Sequence, residues 1–151
     1  MNEALSDKKN FLLSIRPVFA ELIVDGEKTV ELRRRFTTSV DPNALALIYC
    51  TSPTQAIIGV AHIQAVERLP INKLWSKHSR SAKVNRDQFD EYFSGLKHGY
   101  AIILTDALRF EKKVAASKLR KLFGFVAPQS FAYLSSEYYA LLENDRLQAS
   151  Y

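Results

Sequence analysis

The chain has 151 residues, 47% of them hydrophobic, and carries 21 Lys and Arg against 16 Asp and Glu, a formal net charge of +5. That length suits one domain with a core of its own and excludes two comfortable ones, while the basic balance favours a polyanionic partner without requiring one. The one cysteine, Cys50, excludes an internal disulfide and a cysteine zinc cluster, which fits a reducing compartment. Cys50 itself lies in the apolar run Ala44 to Cys50 and reads as a small buried hydrophobe. The first ten residues lack the apolar core of a signal peptide, and no later apolar run spans a bilayer. The expectation is a soluble, cytoplasmic protein with no membrane partner: a flexible segment over 1–10, one domain over 11–143 and a tail over 144–151.

Phe11 to Arg16 reads as a strand, and Pro17 sits well in the first turn of a helix that runs to Asp25, with Gly26 as its C-terminal stop. A charged strand follows. After a turn at Asp41-Pro42-Asn43 comes the buried strand ending at Tyr49, and Ser52-Pro53-Thr54 turns the chain into a strand from Ala56 that extends towards Arg68, long enough to serve two neighbours. Ile71 to Leu96 is partly helical, with Phe89, Tyr92, Phe93 and Leu96 at helical spacing to dock on the sheet. Tyr100 to Leu104 is another strand, extended or succeeded by Leu108 to Glu111. Helices are expected from Ser117 to Phe123 and from about Ser130 to Leu142. Short strands with helices between them predict an α+β fold, a small mixed barrel or strongly curved sheet decorated by helices.

The charged strand carries the most information. Gly26-Glu27-Lys28-Thr29-Val30-Glu31-Leu32-Arg33-Arg34-Arg35 places four cations and two carboxylates on one segment. A period of two sends Val30 and Leu32 inward and Thr29, Glu31 and Arg33 to the opposite face, with Lys28 in phase with Val30 at the strand mouth. A carboxylate bracketed by fixed positive charge can orient an arginine or take a proton, while guanidinium groups hold phosphate or a carbonyl oxygen. The competing reading is an ion-pair ladder that guards a sheet edge.

The remaining candidates are each ambiguous. His62, His78 and His98 titrate near neutrality and can ligate metals, but their spacing fits no metal motif, so no metal site is expected. His78 falls in the basic stretch Trp75 to Lys83, read as a loop able to grip a phosphate backbone while Trp75 stacks on a base; the alternative makes Trp75 a core anchor. Tyr49 either presents its hydroxyl to a cleft or is a core tyrosine. Ser130 reads as a helix N-cap, or as part of an anion site if its hydroxyl faces a cleft. The aromatics from Phe131 to Tyr139 recur at helical spacing and read as core. Lys112-Lys113 and Lys118 to Lys121 are basic runs on a solvated face.

Leu13-Ser14-Ile15-Arg16-Pro17, Gly26-x-Lys28-Thr29-x-Glu31-x-Arg33 and Ile48-Tyr49-x-x-Ser52-Pro53 running into Ala56-Ile57-Ile58-Gly59 together resemble the ASCH domain, and Gly99 to Ile102 and Pro128 to Phe131 are compatible with it. The resemblance implies the PUA-like superfamily: a small mixed β-barrel with flanking helices and a cleft lined by Gly26, Lys28, Glu31 and Arg33. It also implies RNA or a nucleotide as partner; with the residues read above, the expected contacts are Arg16, Lys28, Glu31, Arg33, Arg34, Ser52, Trp75 and Ser130, and no cofactor is required. Some members resemble hydrolases of nucleic-acid substrates, so the alternative is a ribonuclease or a nucleoside amidohydrolase using Lys28, Glu31 and Tyr49. A metal-dependent nuclease here would hold magnesium or manganese loosely through carboxylates and water. Two positions depart from related chains: amidohydrolase-like members carry Thr where Glu31 stands, and a basic residue often found near the Ser-Pro turn is replaced here by Thr54 and Gln55.

Overall fold

Phe11–Ile15 and Ala44–Cys50 are apolar almost without interruption because each is a strand covered on both faces. A computed structural model describes residues 9–140. Strand β1 (Phe11–Ile15) leads into helix α1 (Pro17–Val24), then β2 (Val30–Arg33), β3 (Ala44–Cys50) and β4 (Ala56–Pro70). Helices α2 (Ile71–Ala82) and α3 (Arg86–Tyr92) precede β5 (His98–Ala115), α4 (Ala116–Phe123) and β6 (Phe131–Tyr133), and a helical turn occupies 136–140. The six strands form one curved sheet in the order β2-β5-β4-β3-β1-β6. Only β1 and β3 run parallel; the other neighbours are antiparallel. The mixed α+β half-barrel expected from the sequence is therefore what forms.

Beta4 does serve two neighbours, pairing with β3 along one edge and with β5 along the other. Its register with β5 shifts at Ile57/Gly59, Val60/His62 and Ile63/Ala65, and such bulges bend and twist a strand enough to curl the sheet. Glycine is required at 59, where a Cβ would lie 2.4 Å from the Leu108 carbonyl oxygen and 2.6 Å from Val24 Cγ1. Alternation along the strands divides the interior. Leu13, Ile15, Ile48, Cys50 and Ile63 pack with Ile23 and Val24 of α1, while Leu12, Leu47, Tyr49 and Ile57 pack on the other face with Leu119 of α4 and Phe125. A third cluster joins Val30 and Leu32 to Leu74, Phe89 and Phe93 beneath α2 and α3. Cys50 is fully buried, as its apolar setting suggested.

Three local expectations are corrected. The helix expected from Ser130 does not begin there: Phe131–Tyr133 is a strand paired antiparallel with β1. The reason is the open edge of β1, whose backbone groups need partners that a helix cannot supply, and the rings of Phe131 and Tyr133 both settle against Phe11. Trp75 to Ala82 belongs to helix α2 rather than to a loop. Glu67 of β4 anchors that helix, 2.6 Å from His78 Nε2 and 2.7 Å from Lys77 Nζ. Hydrogen bonds from Lys77, then His78, hold the Glu67 carboxyl below the usual carboxylate range. Asn10, counted with the N-terminal segment, is buried, donates to the Tyr139 hydroxyl and accepts from the Leu45 N–H. Residues 1–8, and 141–151 with the expected helix end at Leu142 and the tail, lie outside the described residues.

Tyr138 packs edge-on against Phe123 at 5.0 Å, and burial, aided by the charge of Glu137, pushes its hydroxyl up to about 12. A raised phenol means that the folded state keeps a proton the unfolded chain releases near pH ~10. This stability is complete below pH ~10 and lost as pH rises towards 12. In urea titrations between those values, Tyr138→Phe should flatten the alkaline loss of stability; an unchanged slope would refute this assignment.

Candidate nucleic-acid interface

The site begins with how the chain leaves α1. Gly26 takes φ +81°, and the N–H groups of both Glu27 and Lys28 donate to the Leu22 carbonyl, so the chain folds back over the helix end before entering β2. Lys28 is thus part of the helix terminus rather than of the strand. For that reason its side chain does not follow the period of two that placed it with Val30. It turns instead to the face of Glu31, with Nζ 3.4 Å from Glu31 Oε1. Nζ also donates to the Ala82 carbonyl at the end of α2 and lies 4.7 Å from the centre of the Phe19 ring. Lys28 is 2% exposed. Burial lowers its ammonium below the ordinary lysine value, and the neighbouring Glu31 partly restores it.

Glu31 pairs across the ladder with Ile102 and therefore shares the inner face of the sheet, whereas Val30 and Leu32 face α2 and α3. Both faces of β2 are buried, so the charged residues are not a solvated ladder at an open edge. Arg33 makes the long connection. Its Nη2 donates to the Ser14 carbonyl at 2.9 Å, and its Nη1 to the Ser130 carbonyl at 3.1 Å and the Ser130 hydroxyl at 2.9 Å. Because β2 lies at one end of the strand order and β1 and β6 at the other, this guanidinium spans the seam that closes the half-barrel. Its Nε stands 3.2 Å from Glu31 Oε2 but poorly aligned, and remains a buried donor with no hydrogen-bond partner.

Beside this triad lies a cavity of about 220 Å³ lined by Arg16, Lys28, Glu31, Arg33, Gln88 and Gln129 together with the rings of Phe19, Phe89, Tyr92 and Phe93. Arg16, the residue before α1, is exposed, its guanidinium 5.5 Å from the Phe19 ring. Of the residues expected at the site, Arg16, Lys28, Glu31 and Arg33 converge here, and Ser130 joins through Arg33. Ser130 does not cap a helix. Arg34 lies outside the lining, its Nη1 donating to the Tyr92 carbonyl at 2.6 Å. Trp75 sits against Phe89 at 5.1 Å with the Arg86 guanidinium 4.8 Å from its ring. Ser52 is exposed in its turn. Tyr49 is 2% exposed in the other core cluster, 5.4 Å from the Phe125 ring, and burial raises its hydroxyl above the ordinary value. His62 Nδ1 lies 3.4 Å from the Asn43 carbonyl, and no group of three or more potential metal ligands occurs among the described residues.

Sequence reasoning passed over Gln88 and Gln129 and read the rings of α3 only as core. A signal for Gln88 exists: Asn85 and Gln88 form a reciprocal capping box, a spacing visible in the sequence that fixes where α3 starts and so which residues reach the cavity.

A family model for the ASCH domain matches residues 13–114. The chain belongs to the ASCH domain family. Among curated proteins, an ASCH domain-containing ribonuclease of Zymomonas mobilis is 34% identical over 134 residues, which are 88% of this chain and 89% of that one. A crystal structure of ASCH from Zymomonas mobilis superposes with a TM-score of 0.84 at 33% identity, covering 89% of this chain and 94% of its own. The human THYN1 protein, solved in complex with 5-methylcytosine containing DNA, shares the fold at a TM-score of 0.54 and 12% identity, covering 90% of this chain and 96% of that one. Among the described residues, no helix is long and apolar enough to cross a membrane.

Proposed function

We propose that this ASCH protein binds RNA by holding one nucleotide in the cleft beside β2. The observation that carries the proposal is the buried Lys28–Glu31–Arg33 cluster opening onto a cavity walled by aromatic rings. Burying three charges is costly unless they pair. The misaligned Glu31–Arg33 contact leaves part of that hydrogen-bonding capacity unused, as expected of a site that a ligand completes. Single-stranded RNA is recognised by splaying a base onto aromatic faces and bonding its edge. Phe19 and Tyr92, the lining rings that are not buried, supply the faces, and Glu31 the edge contact. Arg16 and Arg34, both exposed, carry phosphate contacts at the rim, backed by the net charge of +5. Ser52 and Trp75 lie off the cleft lining and serve only a longer RNA.

A second reading, RNA hydrolysis, is favoured by the Zymomonas relative described as a ribonuclease. In it Glu31 moves a proton and Lys28 stabilises developing charge. Lys28, already engaged by Ala82, Glu31 and Phe19, acts there as an electrostatic group rather than a nucleophile. Tyr49 is outside the cleft lining.

The test incubates the protein with labelled mixed-sequence RNA in magnesium, in manganese and in a chelator, resolving bound, free and cleaved RNA together. The expected result is a complex whose affinity falls steeply with salt. Cleavage abolished in Glu31→Gln, while a salt-sensitive complex is still formed, adds the second reading. Absence of any complex even at low salt overturns both.

A further inference from the structure

Glu31 is an acceptor with capacity to spare. Its oxygens have one cationic contact each, Lys28 at 3.4 Å and Arg33 Nε at 3.2 Å, the second too poorly aligned to be a hydrogen bond. Each carboxylate oxygen offers two lone pairs. The side chain is 11% exposed, and it lines the cavity. Flanked by Lys28 and Arg33, the carboxylate turns its remaining acceptor positions to the cavity. The group that completes it must bring two adjacent N–H donors.

We infer that the cleft selects guanine among the RNA bases. The inference rests on the RNA-binding reading and names the base that the site takes. Guanine alone carries two neighbouring donors on its Watson–Crick edge, N1–H and the N2 amino group, spaced for the two oxygens of one carboxylate. Cytosine and adenine each follow their amino group with a bare ring nitrogen, which would face the second carboxylate oxygen lone pair to lone pair. Uracil has a single N–H between two carbonyl oxygens. With guanine on Glu31, its O6 carbonyl turns towards the cationic flank made by Lys28 and Arg33. The cavity, about 220 Å³, is smaller than the ~300–1,000 Å³ of sites for drug-sized ligands, so it suits one base. Phe19 and Tyr92, the lining rings that are not buried, offer apolar surface on which a purine stacks.

The test compares short labelled RNAs differing at one central base: guanine, inosine, adenine, cytosine and uracil. Inosine lacks only the N2 amino group. A bidentate base contact is worth ~1–3 kcal/mol, so the guanine RNA should bind about tenfold to a hundredfold more tightly than the others, inosine included. Glu31→Gln, which offers one acceptor and one donor, should level the series while retaining salt-sensitive binding. Equal binding of all five RNAs to the parent protein overturns guanine selection and leaves the RNA-binding reading standing. Failure to bind any of them overturns both. An Arg16→Ala protein serves as the contrast: all five affinities should fall together, with the guanine preference intact.

Discussion

Replacing Arg33 by alanine should remove ~3–5 kcal/mol of folding stability, the cost of breaking a buried charged network by deleting one member. The guanidinium gives three hydrogen bonds, to the Ser14 carbonyl and to the carbonyl and hydroxyl of Ser130. Without it, the two carbonyls at the seam lose these donors and Glu31 keeps only Lys28. Against a typical total of ~5–15 kcal/mol, such a loss takes up much of what holds the fold. Arg33→Lys should recover only part of it, because a single ammonium cannot reach two strands at once as the planar fork does. Urea unfolding with an unchanged slope and a lowered midpoint is the measurement. If Arg33→Ala unfolds within ~0.5 kcal/mol of the parent, the range of an ordinary surface substitution, the seam is held by something else.

Phe89→Ala should cost a further ~3–5 kcal/mol, as expected for truncating a buried phenylalanine, and should also abolish RNA binding at moderate salt. Phe89 is 1% exposed and belongs at once to the third core cluster and to the wall of the cleft. Its ring meets Trp75 at 5.1 Å and Phe93 at 4.8 Å, so truncation opens a void and frees α3 to shift over the cavity. Phe89→Leu separates the two effects: it refills most of the volume, so stability should largely return, while affinity remains weakened because leucine cannot seat Phe93, and through it Tyr92, as the ring does. Calorimetry for stability and fluorescence anisotropy for RNA read the two arms. Full affinity in Phe89→Leu would show that the ring has no part in binding.

Much of the fold was legible because its punctuation is local. Pro17 and Gly26 bracket α1, and the continuous apolar run Ala44–Cys50 reports a strand buried on both faces. What was misread depended on partners far along the chain. Phe131 to Tyr139 taken together suggested a helix, yet Phe131 and Tyr133 stand two apart, the period of a strand, and the open edge of β1 takes them up as one. Lys28 obeys the helix end before it rather than the strand after it, a choice made by two N–H groups meeting the Leu22 carbonyl. Of Gly26-x-Lys28-x-x-Glu31-x-Arg33, the side chains of Lys28, Glu31 and Arg33 reach the cavity. The aromatic wall went unseen because Phe89 and Tyr92 carry the same helical periodicity whether they face a core or a cleft. Tyr49 illustrates the reverse case: its position at a strand end suits a cleft, and only the alternation of β3 against α4 sends it to the other side.

Arg33 and Ser130 are 97 residues apart in sequence, and β2 is completed by β5 about seventy positions downstream. Closing such loops is entropically slow compared with forming a helix, so the cleft is among the last parts of the molecule to appear. During synthesis Lys28, Glu31 and Arg33 emerge early, but the Ser130 partners of Arg33 exist only once the chain has grown past that residue. The growing chain therefore carries this basic segment well before the seam of the half-barrel can close.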